Sequence, residues 1–220
     1  MTRWWIQIFW AVIIMAAAFY LPFWAAADDI SICKAGIQAS PSSIWANHVG
    51  GGFRKGAVNA GVTAGAGFGF KAFGGIENHD LALAFGHFGR MLTGVTFRNK
   101  WYGGNLEFWG ELFGGAQINL KSRYVVGITA GPRYNFITDS RWVPFLDLGA
   151  GISGTDIAEP DLSTTFQFNI QTGVGTHYFF GEDIALTLQI RGVHLSNAQI
   201  EQPNYGTNTV LLLFGVAWFF

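Results

Sequence analysis

The sequence predicts an all-β fold, an eight-stranded antiparallel transmembrane β-barrel. Apolar residues make up 50% of the 220 residues, aromatic residues 16% and charged residues only 12%, about half the usual charged share of roughly 25%. Only one stretch, at the N-terminus, is long and apolar enough to cross a membrane as a helix. Most of the remaining chain alternates apolar and polar residues with a period of two, the pattern of β-strands. A membrane chain without helical spans must close its sheet, because lipid satisfies no backbone hydrogen bonds.

Composition also excludes several classes of function. The 13 basic and 14 acidic residues give a net charge of −1, so no basic surface is expected that could neutralise the phosphates of a nucleic acid. A single cysteine excludes a disulfide framework and a thiolate metal site. We expect neither a metal nor a cofactor, because none of the five histidines shows ligand spacing: His48, His79, His87, His177 and His194.

The N-terminal residues 1–27 are predicted to form a secretory signal peptide. Arg3 is followed by an apolar run that ends in Ala25-Ala26-Ala27, before an acidic pair, and cleavage is expected after the last alanine. The alternative is a retained membrane anchor, since the run is long enough to span; a proline late in the run favours cleavage. Residues 28–52 do not alternate and are interpreted as a periplasmic lead-in, with the barrel expected over 53–220.

Eight alternating segments follow. The clearest runs from Phe166 to Tyr178, where apolar side chains share one face and Gln, Asn, Gly and His share the other. Eight strands make a barrel just wide enough for side chains to fill, so no solute pore is expected. Strands are predicted at 56–71, 79–92, 102–118, 122–137, 142–155, 163–180, 183–198 and 207–220.

The pattern also predicts which face of each strand points to lipid and which points into the lumen. A membrane barrel turns its apolar face outward to lipid, whereas a soluble sandwich, the alternative, buries it. Five charged residues fall on the polar face, where in a narrow lumen they must pair: Glu107, Glu111, Arg133, Asp147 and Arg191. Tight turns at 138–141 and 181–183 follow even-numbered strands, which places them on the periplasmic side.

Polar residues interrupt the lipid-facing stripe of the last two strands. His194 and Ser196 are two residues apart and point the same way, with Cα atoms about 6.6 Å apart. They share the parity of the apolar stripe, and Asn208 does so on the next strand. A polar group facing lipid is costly and marks a functional site. A histidine that activates a serine is the core of acyl transfer, so the pair is a candidate for a hydrolase that attacks a lipid sideways. The alternative is that the pair has no catalytic role, because strand ends near the membrane interface also tolerate polar residues.

The run His194-Leu195-Ser196-Asn197-Ala198, with Gln202-Pro203-Asn204 and Gly206, resembles the signature of the lipid A 3-O-deacylase family of outer-membrane barrels. The resemblance covers the barrel and is most specific over residues 191–220. It implies an outer-membrane carboxylic ester hydrolase that removes the 3-position acyl chain from lipid A, with lipopolysaccharide as substrate. It further implies that Ser196 is the nucleophile, His194 the base, and Asn197 and Asn204 support for the oxyanion or the loop.

One position departs from the family. The position at which the family has the acidic partner of the histidine is occupied by Asn208 in this chain. An asparagine oxygen can hold an imidazole tautomer, but it cannot balance an imidazolium charge, so slower turnover is expected; Glu201 is the alternative third member. Two other functions stay open at this point. One is a non-catalytic outer-membrane barrel with a structural or surface-interaction role, and the other is a soluble, lipocalin-like barrel with an apolar lumen.

Overall fold

In a computed structural model, residues 49–98 and 100–220 are described, and they form a closed antiparallel barrel. Each strand pairs with the next, and β8 pairs with β1. The predicted signal peptide and residues 28–48 of the predicted lead-in lie outside the described residues. A 3-10 helix at Val49–Phe53 precedes eight strands: β1 Val58–Gly69, β2 Leu81–Met91, β3 Gly104–Gln117, β4 Arg123–Phe136, β5 Trp142–Thr155, β6 Phe166–Phe179, β7 Ile184–Ser196 and β8 Thr207–Phe219.

The predicted fold class is confirmed, and so are all eight predicted strands. Both predicted tight turns connect strands at the barrel end that carries the 3-10 helix. The connection 92–103 lies at that same end and is longer than those turns. No helix among the described residues is long and apolar enough to cross a membrane. The connections at the opposite end are 70–80, 118–122, 156–165 and 197–206.

The barrel turns apolar side chains outward and polar side chains inward. Leu112, Val174 and Phe214 are more than half exposed, whereas Gln171 and Gln189 of the same sheet are buried in the lumen. A single closed sheet rules out the sandwich. A lumen rich in charged and amide side chains also differs from the apolar interior of a lipocalin-like barrel.

The five charged residues that the sequence assigns to the lumen are buried there and pair with one another. Arg133 lies 2.9 Å from Asp147, and Arg191 pairs with Glu111 and approaches Asp147 at 3.6 Å. The Arg133 guanidinium also lies 3.8 Å from Glu107. Buried charges are tolerated when they are paired and hydrogen-bonded in this way. The predicted lumen pairing is therefore confirmed, and the network fills the middle of the barrel.

An aromatic cluster closes the end that carries the 3-10 helix. Phe53 is fully buried, with its ring centroid 5.7 Å from that of Phe179 and 5.3 Å from that of Phe219. The Asn105 side chain donates to the Phe53 carbonyl at 3.1 Å. The 3-10 helix before β1 therefore closes this end of the barrel as an aromatic stopper, and the hydrogen bond from Asn105 in the lumen holds Phe53 in place.

Candidate active site

The last three strands bring the predicted site residues to one patch of the outer wall. His194 on β7 is directly opposite Asn208 on β8, and Ser196 is opposite Phe168 on β6. Because side chains alternate along a strand, His194 and Ser196 point outward with the exposed Ile190. Both are half-buried. The patch lies at the end of β7, beside loop 197–206.

His194 and Asn208 form a direct hydrogen bond. The imidazole Nδ1 lies 2.8 Å from Asn208 Oδ1. An amide oxygen only accepts, so this bond requires the proton on Nδ1, and in a neutral ring the lone pair is then on Nε2. The Ser196 hydroxyl makes no hydrogen bond to any described residue, and Glu201, the alternative third member, lies exposed in the loop. The pair His194–Asn208 therefore has the arrangement that a general base and its orienting group require.

Gly206 lets loop 197–206 approach the imidazole edge. Its φ of +75° lies in the left-handed region that favours glycine. A Cβ at this position would lie 2.8 Å from His194 Cε1 and 3.5 Å from Nε2. Nε2 is the atom that would accept a proton from a serine, so a side chain here would crowd it.

Asn197 and Asn204 shape the same loop. The Asn204 side-chain oxygen accepts from the Asn197 backbone N–H at 3.1 Å. The Asn197 side-chain amide donates to the carbonyl of Glu201 at 2.9 Å and to the hydroxyl of Ser163 at 3.1 Å. Asn197 is fully buried, and these donors are already engaged. The contacts favour the loop-support part of the predicted role over the oxyanion part.

A second loop, residues 70–80, covers the site, and the sequence did not indicate this. Asn208 faces outward yet is only 5% exposed, because this loop folds over it. The Asn208 side-chain N–H donates to the Ala72 carbonyl at 3.5 Å. The Phe73 ring meets the His194 ring edge-on, with centroids 5.9 Å apart, and Phe73 has a positive φ of 54°. No local pattern in the sequence marks such a contact.

The loop is tied down by a buried carboxylate far along the chain. Asp161 is fully buried; its Oδ1 accepts from the Ile76 N–H at 2.6 Å and its Oδ2 from the Glu77 N–H at 2.9 Å. His79 Nε2 lies 2.9 Å from the same Oδ2. Ligand atoms of Glu77, His79 and Asp161 lie within 4.8 Å of one another and could hold a metal ion. Both Asp161 oxygens accept hydrogen bonds from the loop, so the carboxylate anchors loop 70–80.

Comparison with known proteins places the chain in a family. A family model described as lipid A 3-O-deacylase (PagL) matches residues 88–217. The chain belongs to this family. The lipid A deacylase PagL of Pseudomonas aeruginosa is 30% identical over 86 residues, 38% of this chain and 47% of that protein, so the match spans about half the length of that relative.

Solved structures share the barrel. The outer membrane enzyme PagL matches with a TM-score of 0.51 at 16% identity, over 70% of this chain and 97% of that chain. Neisserial surface protein A matches with a TM-score of 0.52 at 14% identity, over 74% and 99%. At this identity these likenesses show the fold alone. Membership of the lipid A 3-O-deacylase family confirms the predicted resemblance and the predicted location in the bacterial outer membrane.

Proposed function

We propose that the protein is a serine esterase that hydrolyses the ester-linked acyl chain at position 3 of lipid A. Family membership supports the substrate class. The observation that carries the assignment of residues is the 2.8 Å hydrogen bond between His194 Nδ1 and Asn208 Oδ1 beside an outward-facing Ser196. Polar groups on a lipid-facing wall are costly, so their presence at this position supports a functional role.

The proposed chemistry is acyl transfer in two steps. His194 Nε2 takes the proton of the Ser196 hydroxyl as the oxygen attacks the ester carbonyl carbon. The tetrahedral intermediate collapses, the bond to the glucosamine oxygen breaks, and His194 returns its proton to that oxygen. Water, deprotonated by His194, then attacks the acyl-enzyme and releases the fatty acid. The proton and the serine are restored at the end of the cycle.

The position on the wall decides how the substrate reaches the serine. Below the site, exposed apolar side chains line β7 and β8, including Leu188, Ile190, Val210 and Leu212. Acyl chains of an outer-leaflet lipid can pack on this surface while the ester lies level with Ser196. The lipid therefore need not leave the membrane to react.

Asn208 makes this site electrostatically weaker than one with a carboxylate. The amide oxygen orients the imidazole but carries no charge to stabilise the imidazolium that forms during attack. We propose that the turnover is limited by this step. A carboxylate at position 208 tests that proposal directly.

The deciding experiment incubates the purified full chain, folded in detergent micelles, with lipopolysaccharide and measures the released hydroxy fatty acid. Ser196→Ala should lower the release by roughly a thousandfold or more. Ser153→Ala is the matched control, because this serine is buried in the lumen, and it should retain wild-type activity. If the wild type releases no fatty acid, or Ser196→Ala releases as much, the hydrolase proposal fails and the non-catalytic barrel is favoured.

A further inference from the structure

Asn208 has two chemically different ends, and only one of them suits His194. The side-chain oxygen accepts hydrogen bonds and the side-chain nitrogen donates them. With the oxygen toward the imidazole, as in the structure, the proton resides on Nδ1 and Nε2 is free to act as a base. With the amide turned over, its nitrogen would donate to Nδ1, and the imidazole proton would move to Nε2, where it blocks proton transfer from Ser196.

The Ala72 carbonyl distinguishes the two orientations. It accepts from Asn208 Nδ2 at 3.5 Å. Turning the amide over would place Asn208 Oδ1 against this carbonyl oxygen, so two acceptors would face each other. Water can relieve this little, because Asn208 is only 5% exposed. An unsatisfied or repelled acceptor is expensive in such a place. The carbonyl of one loop residue therefore selects the histidine tautomer.

The Ala72 carbonyl can do this only if its loop is held in place. The Asp161 carboxylate receives two consecutive backbone N–H groups of the loop, from Ile76 and Glu77, and charge-assisted bonds of this kind are strong. The Asp161 backbone carbonyl also accepts from the Tyr205 N–H at 2.9 Å, next to Gly206. One residue thus joins the covering loop to the loop that flanks the imidazole.

We propose that loop 70–80 is a working part of the site: the Ala72 carbonyl orients Asn208, and Asp161 is the positioning residue that holds the loop there. The inference rests on the proposed esterase function for its effect on activity. Its structural part, the histidine tautomer and the anchored loop, can be measured without any substrate.

The first test reads the tautomer of His194 in the unmodified protein. Nitrogen-15 NMR of the histidine-labelled full chain in micelles separates rings protonated on Nδ1 from rings protonated on Nε2, and His194→Gln assigns the signal. The wild type should show His194 protonated on Nδ1. A wild-type ring protonated on Nε2 would overturn the proposal, whatever the variants do.

The second test is a double-mutant cycle on activity. Asp161→Asn keeps the size of the side chain but removes one acceptor and the charge, and should lower kcat about tenfold with little change in KM. In an Asn208→Asp background both ends of residue 208 accept, so orientation is no longer needed and the same change should cost less than about twofold. Glu159→Gln is the matched control, because it removes an exposed carboxylate from connection 156–165, which also carries Asp161. Its activity should equal that of the wild type. An equal loss in both backgrounds would overturn the orienting role.

The third test reports on the loop itself. Lys71 is exposed in loop 70–80, so trypsin cleavage after it measures how firmly the loop is held, with cleavage after Lys100 at the other barrel end as internal reference. Asp161→Asn should raise the rate of cleavage after Lys71 by roughly fivefold or more, relative to cleavage after Lys100, because a loop without its anchor opens more often. An unchanged ratio would overturn the anchoring role. If the wild type lacks esterase activity, the activity part falls with the proposed function, while the tautomer and the cleavage ratio still decide the structural part.

Discussion

Replacing Arg191 by methionine should strongly destabilise the barrel. Arg191 is 1% exposed and donates to Glu111, to Gln171 at 3.2 Å and to Gln189 at 2.9 Å. Methionine fills a similar volume but leaves the Glu111 carboxylate without its arginine and two amide oxygens without donors. Removing one partner of a buried ion pair costs about 3–5 kcal/mol, so we expect a loss of about 4 kcal/mol in the free energy of unfolding.

The assay is reversible urea unfolding of the barrel in lipid vesicles, followed by tryptophan fluorescence. A loss of that size lowers the folding equilibrium constant roughly a thousandfold. Arg90→Met is the matched control, because Arg90 is exposed on β2, and it should shift stability by less than about 1 kcal/mol. Adding Glu111→Gln to Arg191→Met should recover about 1–3 kcal/mol, since the stranded charge is then gone. If Arg191→Met is no less stable than Arg90→Met, the lumen network does not hold the barrel together.

Three further predictions concern the site and the stopper. Asn208→Leu should lower kcat/KM by roughly tenfold or more, whereas Asn208→Glu should preserve or raise it; equal activity of both variants and wild type in the fatty-acid assay would assign the orienting role to another residue. Gly206→Ala should lower kcat at least about tenfold, because its Cβ would lie 2.8 Å from His194 Cε1, while gel migration of the unheated protein stays that of a folded barrel; full activity would contradict the crowding. Phe53→Ala should destabilise the barrel by about 3–5 kcal/mol in the urea assay, and unchanged stability would show that the aromatic stopper is dispensable.

The barrel was predictable from the sequence because its determinants are local. Alternation with a period of two specifies both the strand and the face of each side chain, and short turns join neighbours that then pair in sequence order. Arg133 and Asp147 share the polar face of neighbouring strands, and in the lumen they lie 2.9 Å apart. The same alternation puts His194, Ser196 and Asn208 on the outer face of the last two strands.

The covering loop could not be predicted in the same way. Its hydrogen bonds to Asp161 join residues that are separated by 84 and 85 positions in the sequence. The sequence pattern of neither loop indicates a contact with the other. Phe73 adopts a positive φ that its residue type does not favour. The loop-forming contacts of Asn197 likewise depend on the folded shape of loop 197–206, so sequence alone left its role open between oxyanion and loop support.

The most direct test of the outward-facing serine esterase is the mass of lipid A after incubation with the folded protein. We expect wild type and Ser153→Ala to convert lipid A to a species lighter by one hydroxyacyl chain, lost from position 3. Ser196→Ala and His194→Gln should leave the mass unchanged. Lipid A of unaltered mass with wild type, or shortened equally by Ser196→Ala, would contradict it.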